Sequence, residues 1–102
     1  ETRENLYGMF VLMVQVAQAK NDKPSMVVAA ENAKKIAGDS HPEISFILGS
    51  TYAVMDPPKK EKASQLLKSF QKGACKGAKA SKFKEQCETA QSLIQKLGAT
   101  AL

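Results

Sequence analysis

The chain has 102 residues, 43% of them hydrophobic and 25% charged, and this composition excludes a wholly disordered chain. A chain of this length can bury its own core but has no room for a second independent domain, so we expect residues 1–102 to form a single domain. The net charge of +5 is uneven: residues 1–57 carry five Lys and Arg against seven Asp and Glu, whereas residues 58–102 carry ten Lys against three Glu.

The first unit is expected over about residues 4–38, as two helices. Apolar residues at helical spacing predict a helix over residues 4–20, and this helix is apolar on more than one face. Residues 21–25 carry turn chemistry that ends the helix, because they include Asn, Asp and a proline. We expect Ser25 to cap a second helix that runs to about Ala37. Alanines dominate its inward stripe, which predicts close packing.

The second unit is expected over about residues 42–73. Pro42 stands at the first position of a third predicted helix, which runs through Met55. An Asp-Pro-Pro run then breaks that helix, and a fourth helix is predicted over about residues 59–72. Each unit is therefore predicted to be a pair of helices joined by a short turn.

The remainder of the chain predicts one more helix. Residues 73–81 are rich in Lys and small residues and are expected to form a flexible link. A fifth helix is predicted over about residues 81–97, because apolar residues recur at three- and four-residue steps, and Gly98 is expected to end it. No stretch alternates with period two, so the predicted fold class is all-α.

The two units repeat one another at a step of 34 residues. Apolar positions keep this step even where the residue type changes, as Val14 and Leu48 do. A period of 34 built from two helical patterns is typical of stacked helical hairpins. Five identical residues keep the step: Ala19, Asp22, Pro24, Ala29 and Lys34 recur as Ala53, Asp56, Pro58, Ala63 and Lys68.

The third helix carries a Leu-Gly pair at Leu48 and Gly49, and Tyr52 and Ala53 follow one turn later. Together with Ala63 beyond the turn, these residues resemble the tetratricopeptide repeat pattern, in which such a pair and such a Tyr pack one helix against its partner. The resemblance implies that Gly49 lets the neighbouring helix approach its backbone closely.

The resemblance covers about residues 8–73 and departs from the family pattern in several places. Ser45 stands where the pattern has an early aromatic residue, and the proline that usually closes a repeat is absent. The turn over residues 56–60 is about two residues longer than the usual one. The first unit matches more weakly, with Gln15 where the Gly would stand and Gln18 in place of the Tyr.

The resemblance implies two stacked antiparallel hairpins in a right-handed superhelix, with the fifth helix capping the last hairpin. Proteins of this family are generally not enzymes and present a concave surface to a peptide or helix of a partner protein. We therefore expect a non-catalytic scaffold module for protein binding, with no cofactor and no metal. Carried over position by position, the implied groove consists of Met9, Leu12, Val16, Ala19, Lys20, Glu43, Phe46, Ser50, Ala53 and Val54.

Two other uses of the same apolar strip stay open. The fifth helix could fold into the groove and make these side chains plain core residues, or a second copy of the chain could cover them in a homo-oligomer. An enzyme is not expected, because catalysis needs convergent titratable groups. The one histidine, His41, is expected to be a solvated turn residue.

The lysine excess of the second half supports an alternative function, a basic surface that binds nucleic acid or anionic lipid. A plainer alternative is a solvated Lys-rich face. Base readout favours Arg and aromatic platforms, whereas the chain has a single Arg, Arg3, and no aromatic residue inside the Lys-rich link, so nucleic acid is not the expected partner. Membrane contact is expected only through parts outside this chain.

Pairing Cys75 with Cys87 would close a loop of about 13 residues and contribute on the order of 3 kcal/mol. We favour this disulfide, which predicts a periplasmic or extracellular protein; two free thiols in a cytoplasmic protein are the alternative. Two thiols alone do not complete a metal site. The longest apolar run, residues 8–14, is too short to span a bilayer, and the chain starts without Met. We therefore expect a piece of a longer protein, whose export signal or anchor lies elsewhere.

Overall fold

The computed structural model describes residues 2–38, 41–55, 58–77 and 79–101, and these residues form helices and turns without a strand. The predicted all-α fold class is therefore confirmed. The helices are α1 (Thr2–Ala19), α2 (Lys23–Ala37), α3 (Glu43–Val54), α4 (Lys60–Ala74), α5 (Lys79–Lys82) and α6 (Lys84–Ala101). α1 packs on α2, α2 on α3, α3 on α4 and α4 on α6, and α6 also contacts α3.

Residues 20–22 join α1 to α2 and include the N-cap residue of α2. Asn21 takes a left-handed conformation there, with φ 56°. Asp22 caps α2, because its Oδ1 accepts the backbone N–H of Ser25 at 3.3 Å and its Oδ2 accepts the Ser25 hydroxyl at 2.7 Å. These bonds lower the pKa of the Asp22 carboxyl. The prediction of Ser25 as the cap is wrong, because Ser25 already lies inside the first turn.

The helices α3 and α4 approach each other closely at Gly49. A Cβ atom added to Gly49 would lie 3.0 Å from Leu67 Cγ and 3.1 Å from Leu66 Cβ, closer than side chains ordinarily pack. The expectation that Gly49 admits the neighbouring helix is confirmed. Leu48 and Tyr52, on the same helix, are buried.

The core lies between α1, α2, α3, α4 and α6, all of which contribute buried residues to it. Its largest fully buried side chains are Ile44 of α3 and Leu67 and Phe70 of α4. The Phe70 ring contacts the rings of Phe46 and Phe83 at centroid distances of 5.2 Å and 5.9 Å, the second of them edge-on. The buried residues of α2 are all alanines, which lets α1 and α3 pack closely on its two sides.

A disulfide between Cys75 and Cys87 ties α6 to the end of α4, with the Cα atoms 5.8 Å apart, as predicted. The prediction of a flexible link over residues 73–81 is wrong in part, because α4 continues to Ala74 and α5 adds one helical turn. The prediction that Gly98 ends the last helix is also wrong, since α6 runs on to Ala101. A glycine inside a helix costs only about 1 kcal/mol.

Candidate functional site

An open cleft of about 540 Å³ lies between α1, α3 and α6, and we call it the α1/α3 cleft. Its walls are mostly apolar, with a few hydroxyl and amide groups. α6 forms one wall and leaves the space open. The lining residues are Val11, Val14, Gln15 and Gln18 of α1, Met26 of α2, Phe46, Ile47, Ser50, Thr51 and Val54 of α3, and Thr89 and Leu93 of α6.

Three of the ten predicted groove residues, Phe46, Ser50 and Val54, line the α1/α3 cleft. The side chain of Val54 is 56% exposed, so an occupant of the cleft can reach it. Ala53 and Val54 also line a smaller neighbouring cleft of about 300 Å³. The third helix therefore places most of its predicted residues at or beside one surface.

The predicted residues of α1 lie on the other side of that helix. Met9 and Val16 each follow a buried residue, Tyr7 and Val14 respectively, by two positions, which is about 200° around the helix axis. Leu12 is 62% exposed, more than Met9 or Val16. These three residues share an outward face and do not line the cleft.

Ala19 and Lys20, the two predicted residues at the end of α1, are exposed and also lie outside the cleft lining. α1 instead presents residues such as Val11 and Gln15 to the cleft. Sequence reasoning missed this face because α1 is apolar on both sides, so periodicity alone does not choose between them. The seven-residue step from Tyr7 to Val14 marks the inward side.

The wall of the cleft contains a shielded hydroxyl group. Ser50 Oγ is buried and, among the residues that the structure describes, has no hydrogen-bond partner. The next hydroxyl along α3, that of Thr51, donates to the carbonyl of Ile47 at 2.8 Å. A buried polar group without a partner costs about 1–3 kcal/mol. Within the described part of the chain, the Ser50 hydroxyl is therefore an unsatisfied polar group in the cleft wall.

A polar cluster joins the first turn of α1 to the start of α3. His41 lies between two carboxylates, with Nε2 2.9 Å from Glu4 Oε1 and Nδ1 3.2 Å from Glu43 Oε2. Tyr7 stacks on the His41 ring at 4.0 Å and donates its O–H to Glu43 Oε2 at 3.1 Å. The hydrogen bond to Glu4 raises the pKa of His41, and burial together with the Glu43 carboxylate raises the pKa of Tyr7.

The expectation that His41 is a solvated turn residue is wrong. Its side chain is 25% exposed, and both ring nitrogens contact carboxylates. Glu43, a predicted groove residue, is held in this cluster and does not line the α1/α3 cleft. The cluster thus connects the two hairpins, a contact between residues 37 positions apart that no local pattern signals.

A second cleft, of about 710 Å³, lies between the start of α4 and the end of α6, and we call it the lysine cleft. Lys59, Lys60, Lys62 and Lys68 line it, together with apolar residues of α6. The structure therefore gathers four of the lysines that the sequence analysis considered as a basic surface. Their counterpart in that cleft is a single carboxylate, Glu61.

Tyr52 of α3 contacts Lys62, one of these lysines, and Glu31 of α2. Lys62 Nζ lies 5.6 Å from the centroid of the Tyr52 ring. The Tyr52 hydroxyl donates to a carboxylate oxygen of Glu31 on α2. Burial, followed by this hydrogen bond, raises the pKa of Tyr52 to about 12. The hydrogen bond between Tyr52 and Glu31 links α3 to α2.

Within the described ranges, no group of three or more His, Cys, Asp or Glu side chains is placed to hold a metal ion. None of the described helices combines the length and the apolar character that a membrane span requires. Comparison with known proteins found no family model, no curated relative and no solved structure that matches the chain.

Proposed function

We propose that the chain is a non-catalytic interaction module that holds an apolar helix or peptide of a partner protein in the α1/α3 cleft. The observation that carries this proposal is the open, mostly apolar space between α1, α3 and α6. Exposed apolar side chains at this space, such as Val54, leave water when a partner side chain covers them. Exposed polar side chains of the lining, such as Gln15 and Thr89, supply hydrogen bonds that can fix the position of the bound segment.

We also propose that α1–α2 and α3–α4 are two divergent tetratricopeptide-like hairpins, stacked in a right-handed superhelix and capped by α6. Three observations support this proposal: the 34-residue step, the order in which the helices pack, and the close approach at Gly49. In that arrangement the α1/α3 cleft is the concave face, because the first helix of each hairpin lines it.

For the location of the protein we propose the periplasm or the extracellular space. The bond between Cys75 and Cys87 supports this proposal, because structural disulfides persist in oxidising compartments and are rare in the cytoplasm. The partner segment would then belong to a protein of the same compartment. A small domain that leaves one apolar face open gains stability from such a bond.

The test starts from a peptide of about 15 residues selected from a displayed library for binding to the chain. Its Kd is measured by fluorescence anisotropy. Val54→Glu places a charge in the cleft and is expected to weaken binding at least about tenfold, since a buried unpaired charge is costly. Leu12→Glu is the matched control, because it places the same charge on the outward face of α1.

The control is expected to bind the peptide with unchanged Kd. Circular dichroism establishes that both variants remain helical. Equal loss in the two variants, or unchanged binding by a folded Val54→Glu variant, would contradict the cleft as the binding site.

The lysine cleft supports a second candidate function, binding of a phosphate-bearing surface. Such binding would collapse between about 50 and 200 mM salt, whereas peptide binding in an apolar cleft tolerates salt. The probes are a fluorescent single-stranded DNA and vesicles that contain phosphatidylserine. Lys68→Glu is expected to weaken binding of either probe severalfold if this candidate is correct, and to leave peptide binding unchanged.

A further inference from the structure

A second apolar surface lies on the outward face of α1, away from both the core and the α1/α3 cleft. Leu6, Met9, Met13 and Val16 follow one another at steps of three, four and three residues, so they share one face of the helix. Their side chains are between 39% and 55% exposed. We call this surface the α1 seam.

The α1 seam belongs to a helix without charges along most of its length. Residues 5–19 include no Asp, Glu, Lys or Arg. The surface helices α4 and α6, by contrast, carry five and four charged residues respectively. A helix that is apolar around its circumference is normally covered on every side. Here α2 and the start of α3 cover one side, and the seam remains in contact with solvent.

We propose that the α1 seam is the contact surface for a second copy of this chain, with the two α1 helices antiparallel about a two-fold axis. The step pattern of three, four and three reads the same in both directions, so the seam is complementary to itself. Leu6 of one copy then packs against Val16 of the other, and Met9 against Met13. These pairs repeat on both sides of the axis.

The charges at the ends of α1 favour the antiparallel arrangement. It keeps the Lys20 side chains of the two copies at opposite ends of the contact. A parallel arrangement would place Lys20 beside Lys20. The distribution of charge over the whole chain also permits self-association, because the ten lysines of residues 58–102 lie outside the helix that makes the contact.

A membrane surface fits the seam less well than a second copy does. Helices that lie on anionic membranes flank their apolar face with Lys and Arg. The α1 seam has Lys20 at one end and no basic residue beside it over residues 5–19. The chemistry of the seam therefore favours another apolar helix as its occupant.

The size of the seam sets the expected affinity. Together with Leu12 it exposes on the order of 400 Å² of apolar surface, near the largest patch that a monomer ordinarily leaves bare. Two copies would bury about half the area of a standard interface. We therefore expect a weak dimer, with a Kd on the order of 10–100 µM.

The test is analytical ultracentrifugation of the full chain at concentrations from about 5 to 500 µM, spanning the expected Kd. The average mass is expected to rise from one chain to two across this range. Met13→Glu puts a charge at the centre of the seam and is expected to raise the Kd at least about 30-fold. Val28→Glu is the matched control, because Val28 is 59% exposed on α2 and lies outside the seam.

The direction of the helices is tested by the double variant Met9→Lys/Met13→Glu. Antiparallel pairing places opposite charges against each other, so the double variant is expected to recover dimer that each single variant loses. A wild-type chain that stays monomeric at 500 µM, a dimer that survives Met13→Glu, or a double variant that stays monomeric would overturn the proposal. Val54→Glu separates the two proposals, since it is expected to impair peptide binding and leave the mass unchanged.

Discussion

The two hairpins share a sequence pattern but bury it to different depths. In α3–α4, Ile44, Leu67 and Phe70 are fully buried, because α2 packs on one side of this hairpin and α6 on the other. In α1–α2 the buried residues of the second helix are alanines, and Met9 and Leu12 of the first stay exposed. A repeated apolar pattern thus does not show how much of each helix the chain itself buries.

The largest expected effect comes from truncating one large side chain in each hairpin. Phe70→Ala removes a fully buried ring that contacts Phe46 and Phe83, and is expected to lower the free energy of unfolding by about 3–5 kcal/mol. Leu12→Ala, on the edge hairpin, is expected to change it by no more than about 0.5 kcal/mol. Urea denaturation followed by circular dichroism measures both, below the concentration at which the chain associates. Comparable losses of unfolding free energy in the two variants would show that α1 is covered.

A smaller effect is expected from adding one methyl group to a glycine in each hairpin. Gly49→Ala places a Cβ against Leu66 and Leu67, so it is expected to destabilise the fold by about 1–3 kcal/mol. Gly8→Ala meets no atom within 4 Å and is expected to stabilise the fold by about 0.5–1 kcal/mol, because alanine favours the helix. If thermal unfolding shows that Gly49→Ala lowers the stability and Gly8→Ala raises it, the result supports the difference in packing between the two hairpins. Stabilisation by Gly49→Ala would contradict the close approach of α3 and α4.

The smallest effect concerns the polar cluster that joins the hairpins. The pKa of His41 is higher in the folded state than its ordinary value of 6.5. Protonated His41 therefore stabilises the fold, and this contribution is fully present below pH 6.5. It is lost as the pH rises through the folded-state pKa. We expect the wild-type chain to lose at most about 1 kcal/mol in this way as the pH rises above about 6.5.

His41→Gln is expected to abolish that pH dependence. Urea denaturation at a series of pH values measures it in both proteins. If the free energy of unfolding changes with pH in the variant as it does in the wild type, the pH dependence belongs to other groups.

Local features of the sequence predicted the fold well. The absence of period-two patterns predicted the all-α class, Gly49 predicted the close approach, and Cys75 and Cys87 predicted the disulfide. The N-cap of α2 was harder to predict. Asp22 and Ser25 are both good capping residues, and the turn geometry decides between them.

The site was predicted only in part, because it depends on contacts that are distant in sequence. Phe46 and Val54 line the α1/α3 cleft, whereas Met9 and Leu12 face outwards. α1 has two apolar faces, and which of them turns inwards depends on how α2 and α3 pack against it. The contact of His41 with α1 was missed for the same reason.

The most direct test of the binding site is an amide chemical-shift titration of the isotopically labelled chain with the selected peptide. We predict that the largest shifts occur at residues that line the α1/α3 cleft, such as Gln15, Ser50 and Val54. Shifts that are confined to the lysine cleft or to the α1 seam would contradict the cleft as the site where a partner binds.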